Sequence, residues 1–168
     1  MKSHAFSHLT RATAVGLALG LGTVGLVSAQ NVRVIELDAG VGCNFKLSIK
    51  SVGEQLEVRE FTDKEGKPVK SIAAGKGVQL TYTNLDSRAS LSFKANGSVA
   101  KQTYNPDGTY TVVATGHNGL ILFPSDVPAG PTTTMYTGRV VYQVDPATGI
   151  FTLLGTSGKS TDVCAVLS

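Results

Sequence analysis

Short runs of apolar residues that alternate with polar ones, cut by turn chemistry, constrain this chain more than any other feature. Phe45, Leu47 and Ile49 alternate with Asn44, Lys46, Ser48 and Lys50, and Val78, Leu80 and Tyr82 with Gln79, Thr81 and Thr83. The same period returns at Ala89–Lys94, at Thr109–Thr115 and at Arg139–Asp145. Period two sends successive side chains to opposite faces, so each run reads as a strand with one buried and one wet face. This is the pattern of antiparallel sheet.

The breaks carry hairpin chemistry. Asn96-Gly97 tolerates positive φ twice, as a type I′ turn requires. Asn105-Pro106-Asp107-Gly108 and Asp145-Pro146-Ala147-Thr148-Gly149 suit type I turns followed by a left-handed glycine, and Asp63-Lys64-Glu65-Gly66 is a weaker copy. Gly116-His117-Asn118-Gly119 also reads as a turn. About ten strands at this spacing predict an all-β antiparallel meander that closes as a small barrel or a sandwich. Leu120-Ile121-Leu122-Phe123 is continuously apolar, which predicts a strand buried on both faces. A proline-rich loop follows at 124–134. The stretch Ser160–Leu167 predicts a short C-terminal helix capped by Ser160 or Thr161, which would bring Cys164 against the strand bearing Cys43.

Residues 1–29 read as a cleaved signal peptide. Lys2 and Arg11 precede an uncharged run from Ala12 to Val27, and Val27-Ser28-Ala29 places small residues at the cleavage site. The run is short and glycine-rich for a membrane span. The mature domain expected is 30–168, one domain of 139 residues and long enough to bury a core. It keeps both cysteines, and in an oxidising compartment a Cys43–Cys164 disulfide is the default.

Two of the 15 basic residues leave with the leader, so the mature chain stands near +1 against its 12 acids. Its basic side chains are scattered, and no face is built for nucleic acid. After cleavage no stable membrane span is expected.

Little of the usual catalytic chemistry is present. His117 is the only histidine beyond the leader. No G-x-S-x-G elbow accompanies it, and one histidine with a bridged cysteine pair falls short of a zinc ligand set. Ser98-Val99-Ala100-Lys101 matches S-x-x-K, but on a strand i and i+3 point to opposite faces. Asp107, Asp126 and Asp145 lie on separate turns without calcium-loop spacing, and read as turn caps. Neither a metal nor a cofactor is indicated.

The stretch Ala74-Gly75-Lys76-Gly77-Val78-Gln79-Leu80-Thr81-Tyr82-Thr83-Asn84, residues 115–145 and the ending Asp162-Val163-Cys164-Ala165 resemble a group of small secreted actinobacterial proteins of uncharacterised function. The resemblance implies export, a β domain and the two-cysteine pattern. It implies no activity and no site residues.

Three readings of function follow. The first is a non-enzymatic extracellular or cell-envelope β domain that binds an extracellular ligand or envelope component. Its speculative surface joins His117, Asn118 and Asp126 to Tyr136 and Arg139, on unusual loops of the kind that often carry function. The second is a small secreted barrel enzyme, cyclase- or isomerase-like, using Arg139, Tyr136 or His117. The third is a purely structural envelope component.

Overall fold

The computed structural model describes residues 31–53, 55–94 and 96–168. The expected leader, 1–29, lies outside them. The described chain is mostly antiparallel β. Its strands are β1 (Val32–Leu37), β2 (Leu47–Val52), β3 (Gln55–Thr62), β4 (Pro68–Lys76), β5 (Gln79–Asn84), β6 (Ser90–Phe93), β7 (Gly97–Tyr104), β8 (Tyr110–Leu122), β9 (Thr132–Val144) and β10 (Phe151–Asp162). One short helix, α1 (Val163–Leu167), ends the chain.

The strands form two sheets, ordered β1-β2-β5-β6 and β10-β9-β8-β7-β4-β3. No barrel closes among the described residues, and the stacked sheets fit a sandwich. The expected meander survives within this arrangement. Residues 47–52 pair with 84–79, and 55–61 with 76–70, in one unbroken register. Residues 80–83 pair with 93–90, and 70–76 with 103–97, again without a slip. β2–β3, β4–β5 and β6–β7 are therefore three long strands, each creased where it passes from one sheet to the other. Gly53, Gly77 and Asn96 sit at those creases, where the Gly77 amide donates to the Asn96 carbonyl (3.2 Å). Asn96-Gly97 is thus a crossing between sheets and not the hairpin that its composition suggested. Turn chemistry is also crease chemistry, because both need an unusual backbone.

The three aspartate-containing turns form as expected. Gly66, Gly108 and Gly149 all have positive φ at the ends of their turns. Asp107 and Asp145 cap theirs: Asp107 accepts from the Thr109 amide, and Asp145 from the Ala147 amide.

Gly116-His117-Asn118-Gly119 is not a turn; it lies inside β8. Gly116 pairs with Gly138, which pairs with Gly158, making a row of glycines across β8, β9 and β10. All three have positive φ (97°, 150° and 101°). A Cβ on any of them would run into a carbonyl oxygen of the neighbouring strand, that of Gly97, Ser157 or Thr137 in turn. The row marks a fold-back. A straight strand of this length would span about 40 Å. Yet Tyr110 pairs with Val144 and Val144 with Phe151, and the Asp126 carboxylate joins the Phe151 amide to the Phe123 amide. The two ends of β8 are brought close together, which a straight strand cannot do.

Burial follows the fold-back. Odd-numbered Thr133 and Met135 are buried against the first sheet, while even-numbered Val112, Ala114, Leu122 and Val140 are buried on the opposite face. The apolar run 120–123 meets its expectation in the middle: Ile121 packs on the main core and Leu122 is buried on the other side. Phe123 departs from it and is exposed, at the start of the loop.

The main core lies between the sheets. Leu47, Ile49 and Tyr82 of the first sheet meet Met135 of the second, with Val163 and Leu167 of α1 closing the end. Burial pushes the Tyr82 hydroxyl up to about 12. Each fully buried aliphatic side chain here is worth about 1.5–3 kcal/mol. The Cys43–Cys164 disulfide forms at this end, with Cα atoms 5.5 Å apart. α1 is capped by Asp162, one or two residues later than expected, through a bond from the Ala165 amide (3.0 Å). Buried Asn84 donates to the Leu167 carbonyl (2.9 Å) and ties the helix to the first sheet.

Candidate binding surface

Of the residues singled out from the sequence, the structure brings Asn118 and Tyr136 together as a cross-strand pair and leaves the other three apart from them. Asn118 sits opposite Tyr136, and His117 opposite Thr137, so strand alternation sends the two pairs to opposite faces. Arg139 is exposed opposite Thr115, beyond the glycine row. Asp126 is 4% exposed, and its carboxylate holds the amides of Phe123 (2.6 Å) and Phe151 (3.0 Å). It is a clamp on the fold-back. The loop it belongs to is short of the expected 124–134, because Thr132–Thr134 already belong to β9. The loop runs beside β10, where Val127 bridges Thr152.

A recess of about 250 Å³ opens at the far end of β8–β10, lined by Thr109, Gln143, Asp145, Thr148, Ile150 and Thr152. Its polar groups are committed to one another. Gln143 Nε2 donates to Thr109 Oγ1 (2.6 Å), and that hydroxyl donates to Asp107 (2.6 Å). Thr148 donates to Asp145 (2.9 Å). The Thr109 hydroxyl, then its amide, holds the Asp107 carboxyl below the usual range. The Ala147 amide, then the Thr148 hydroxyl, does the same for Asp145. These groups hold two turns.

The surface that stands out lies elsewhere. β3, β4 and the outer face of β7 extend beyond the core as a wing. Every side chain from Leu56 to Thr62 is exposed, on both faces of β3. Val58 is 68% exposed, and Leu56, Phe61, Val69 and Val99 are also open. Lys70 Nζ lies 4.3 Å from the Phe61 ring centre, so one of these aromatics is partly screened by a cation. Behind Val58 the row continues through Ala73 and Ala100, small residues that leave it standing proud. β3 pairs only with β4, so its other edge is free among the described residues.

This surface lies outside the residues that loop chemistry singled out. Its signal was available in Leu56-Glu57-Val58-Arg59, an alternating run like the others. Alternation announces a strand, but it does not say that neither face will be covered.

No protein family, curated protein or solved structure matches this chain.

Proposed function

We propose that this chain is an exported, non-enzymatic β domain of the extracellular space or cell envelope that works by binding, and that the wing is its binding surface. The exposure of apolar side chains on both faces of β3 carries this reading. Single exposed apolar residues are ordinary, but several gathered on the two faces of one edge hairpin and its neighbour favour an interaction site. Export is supported by the leader-like pattern of residues 1–29 and by a disulfide suited to an oxidising compartment. The resemblance to small secreted actinobacterial proteins points the same way.

The test is retention on the envelope fraction of a producing cell. Labelled mature protein is expected to bind that fraction saturably, and Val69→Ser/Val99→Ser to lose most of the binding while melting as the parent does. Binding that survives this double substitution, or no saturable binding at all, would refute the wing as the site. Intact mass of protein from culture supernatant should begin at Gln30; material that still carries Met1 would refute export.

A further inference from the structure

We infer that the free edge of β3 pairs antiparallel with β3 of a second copy of this chain, on a two-fold axis beside Val58. This rests on the reading of the wing as a binding surface and gives its free edge an occupant, while the two faces of the wing stay open to the envelope. Symmetry constrains the register. Two identical edge strands related by a two-fold axis normal to the sheet run antiparallel, and residues facing each other must lie on the same face of the sheet. The axis therefore passes beside one residue, and each residue faces the one equally far on its other side. Axes beside Glu57, Arg59 or Glu60 set a charge against its own copy, which disfavours pairing. An axis beside Leu56 overlaps only the first residues of the strand.

Beside Val58 the fit changes character. Glu57 of each copy faces Arg59 of the other, twice over by symmetry, and residues 55–61 all find a place in the ladder. The most exposed large apolar side chain of the wing meets its own copy at the centre. The apolar row Val58, Ala73, Ala100 then runs on into the same row of the second copy. No proline interrupts the edge between 55 and 62, and the irregularity at Phe61/Thr62 lies at its end.

The other long edges do not offer this. On β1, Arg33 and Glu36 lie on opposite faces of the strand, so no axis sets one against the other. Opposite charges never meet there under the same-face rule. The start of β10 is already bridged by Val127.

The experiment is sedimentation equilibrium of the mature protein up to about 1 mM, a range in which even weak complexes populate. The parent is expected to dimerise reversibly. Glu57→Arg alone sets two arginines opposite each other, and Arg59→Glu alone sets two glutamates; each should weaken the dimer at least about tenfold, because both symmetry-related contacts turn repulsive. Mixing the two single variants restores opposite charges at both contacts, so a heterodimer should form. The doubly swapped Glu57→Arg/Arg59→Glu chain should dimerise as the parent does. Both sites are exposed, and a thermal melt confirms that each variant is folded.

A parent that stays monomeric throughout overturns the proposal. So does a dimer indifferent to the single substitutions, or a pair of variants that does not recombine. Envelope retention read with Val69→Ser/Val99→Ser keeps the two questions apart, since a monomer that still binds through the wing defeats only the pairing.

Discussion

The disulfide-bearing end and the wing are built from the same kind of strand, yet they differ in everything that gives stability. β2 and β3 are one creased strand in a single register. On β2, Leu47 is fully buried and Ile49 nearly so, packed against α1 and β9. On β3, a few residues further along, Leu56 and Val58 are exposed. The pairing register carries over from β2 to β3, whereas the burial does not. Pairing gives the strand its shape; stacking gives it most of its free energy.

The largest expected effects lie at the packed end. Replacing both cysteines by serine should lower stability by about 2–5 kcal/mol, read by denaturant titration. The closed loop separates Cys43 from Cys164 by 121 positions, and releasing it enlarges the unfolded ensemble. Leu47→Ala should cost a similar 2–5 kcal/mol by opening a cavity in the main core. A loss near zero for either would mean that this end does not carry the fold.

The fold-back comes next. Asp126→Ala leaves the amides of Phe123 and Phe151 without their acceptor, at a cost of about 2–4 kcal/mol for two unpaired donors. The loss should appear as faster amide exchange at Phe151 and Leu153, with Leu47 protected as before. Uniform loss across the molecule would instead make the clamp part of one cooperative unit.

Much of this was legible in the sequence. The alternating runs, the aspartate–glycine turns, the cysteine pair and the terminal helix all announce themselves through local rules, and each of those rules is obeyed. The meander was legible too, because consecutive runs were joined by tight turns. What failed to show was long-range. Gly116, Gly138 and Gly158 look like three unrelated glycines until pairing sets them in one row, and His117 looked like a turn residue because its flanking glycine serves a bend instead. Asn96-Gly97 has hairpin composition, but its neighbours had already been recruited to different sheets. Of the five residues of the candidate surface, pairing joined Asn118 to Tyr136, while strand alternation turned His117 to the other face and Asp126 was taken up by its own loop. The wing was invisible for a related reason: coverage is a property of the partner layer, and no residue of β3 encodes it.

Val58→Ala should then change stability by no more than about 0.5 kcal/mol in dilute solution, since it removes atoms that touch little. Thermal melts at low concentration, beside Leu47→Ala, give the contrast directly. A loss above 1 kcal/mol, on the scale typical of buried sites, would show that the wing is covered by something in the folded chain.

The smallest effect expected is an acid loosening of the turns 105–109 and 145–150, which lie far from the disulfide along β8 and β9. Asp107 and Asp145 are held there as carboxylates, by the Thr109 hydroxyl and amide and by the Ala147 amide and Thr148 hydroxyl. Those bonds place both groups below the ordinary value of 3.8. A depressed carboxyl contributes stability that is fully present above its unfolded value and is lost as pH falls through its folded value. The window is therefore below pH 3.8, and near neutrality the contribution is flat. Protonation removes the acceptor that pins each turn, whereas nothing at Leu47 titrates. Amide protection factors at Thr109 and Ala147 should thus fall between pH 3.8 and pH 2 while that of Leu47 holds. Asp107→Asn should flatten the fall at Thr109 and leave that at Ala147, because each carboxylate serves its own turn. If Leu47 lost protection in step with Thr109, acid would be acting on the whole fold, and the distinction between its packed and its hydrogen-bonded ends would disappear.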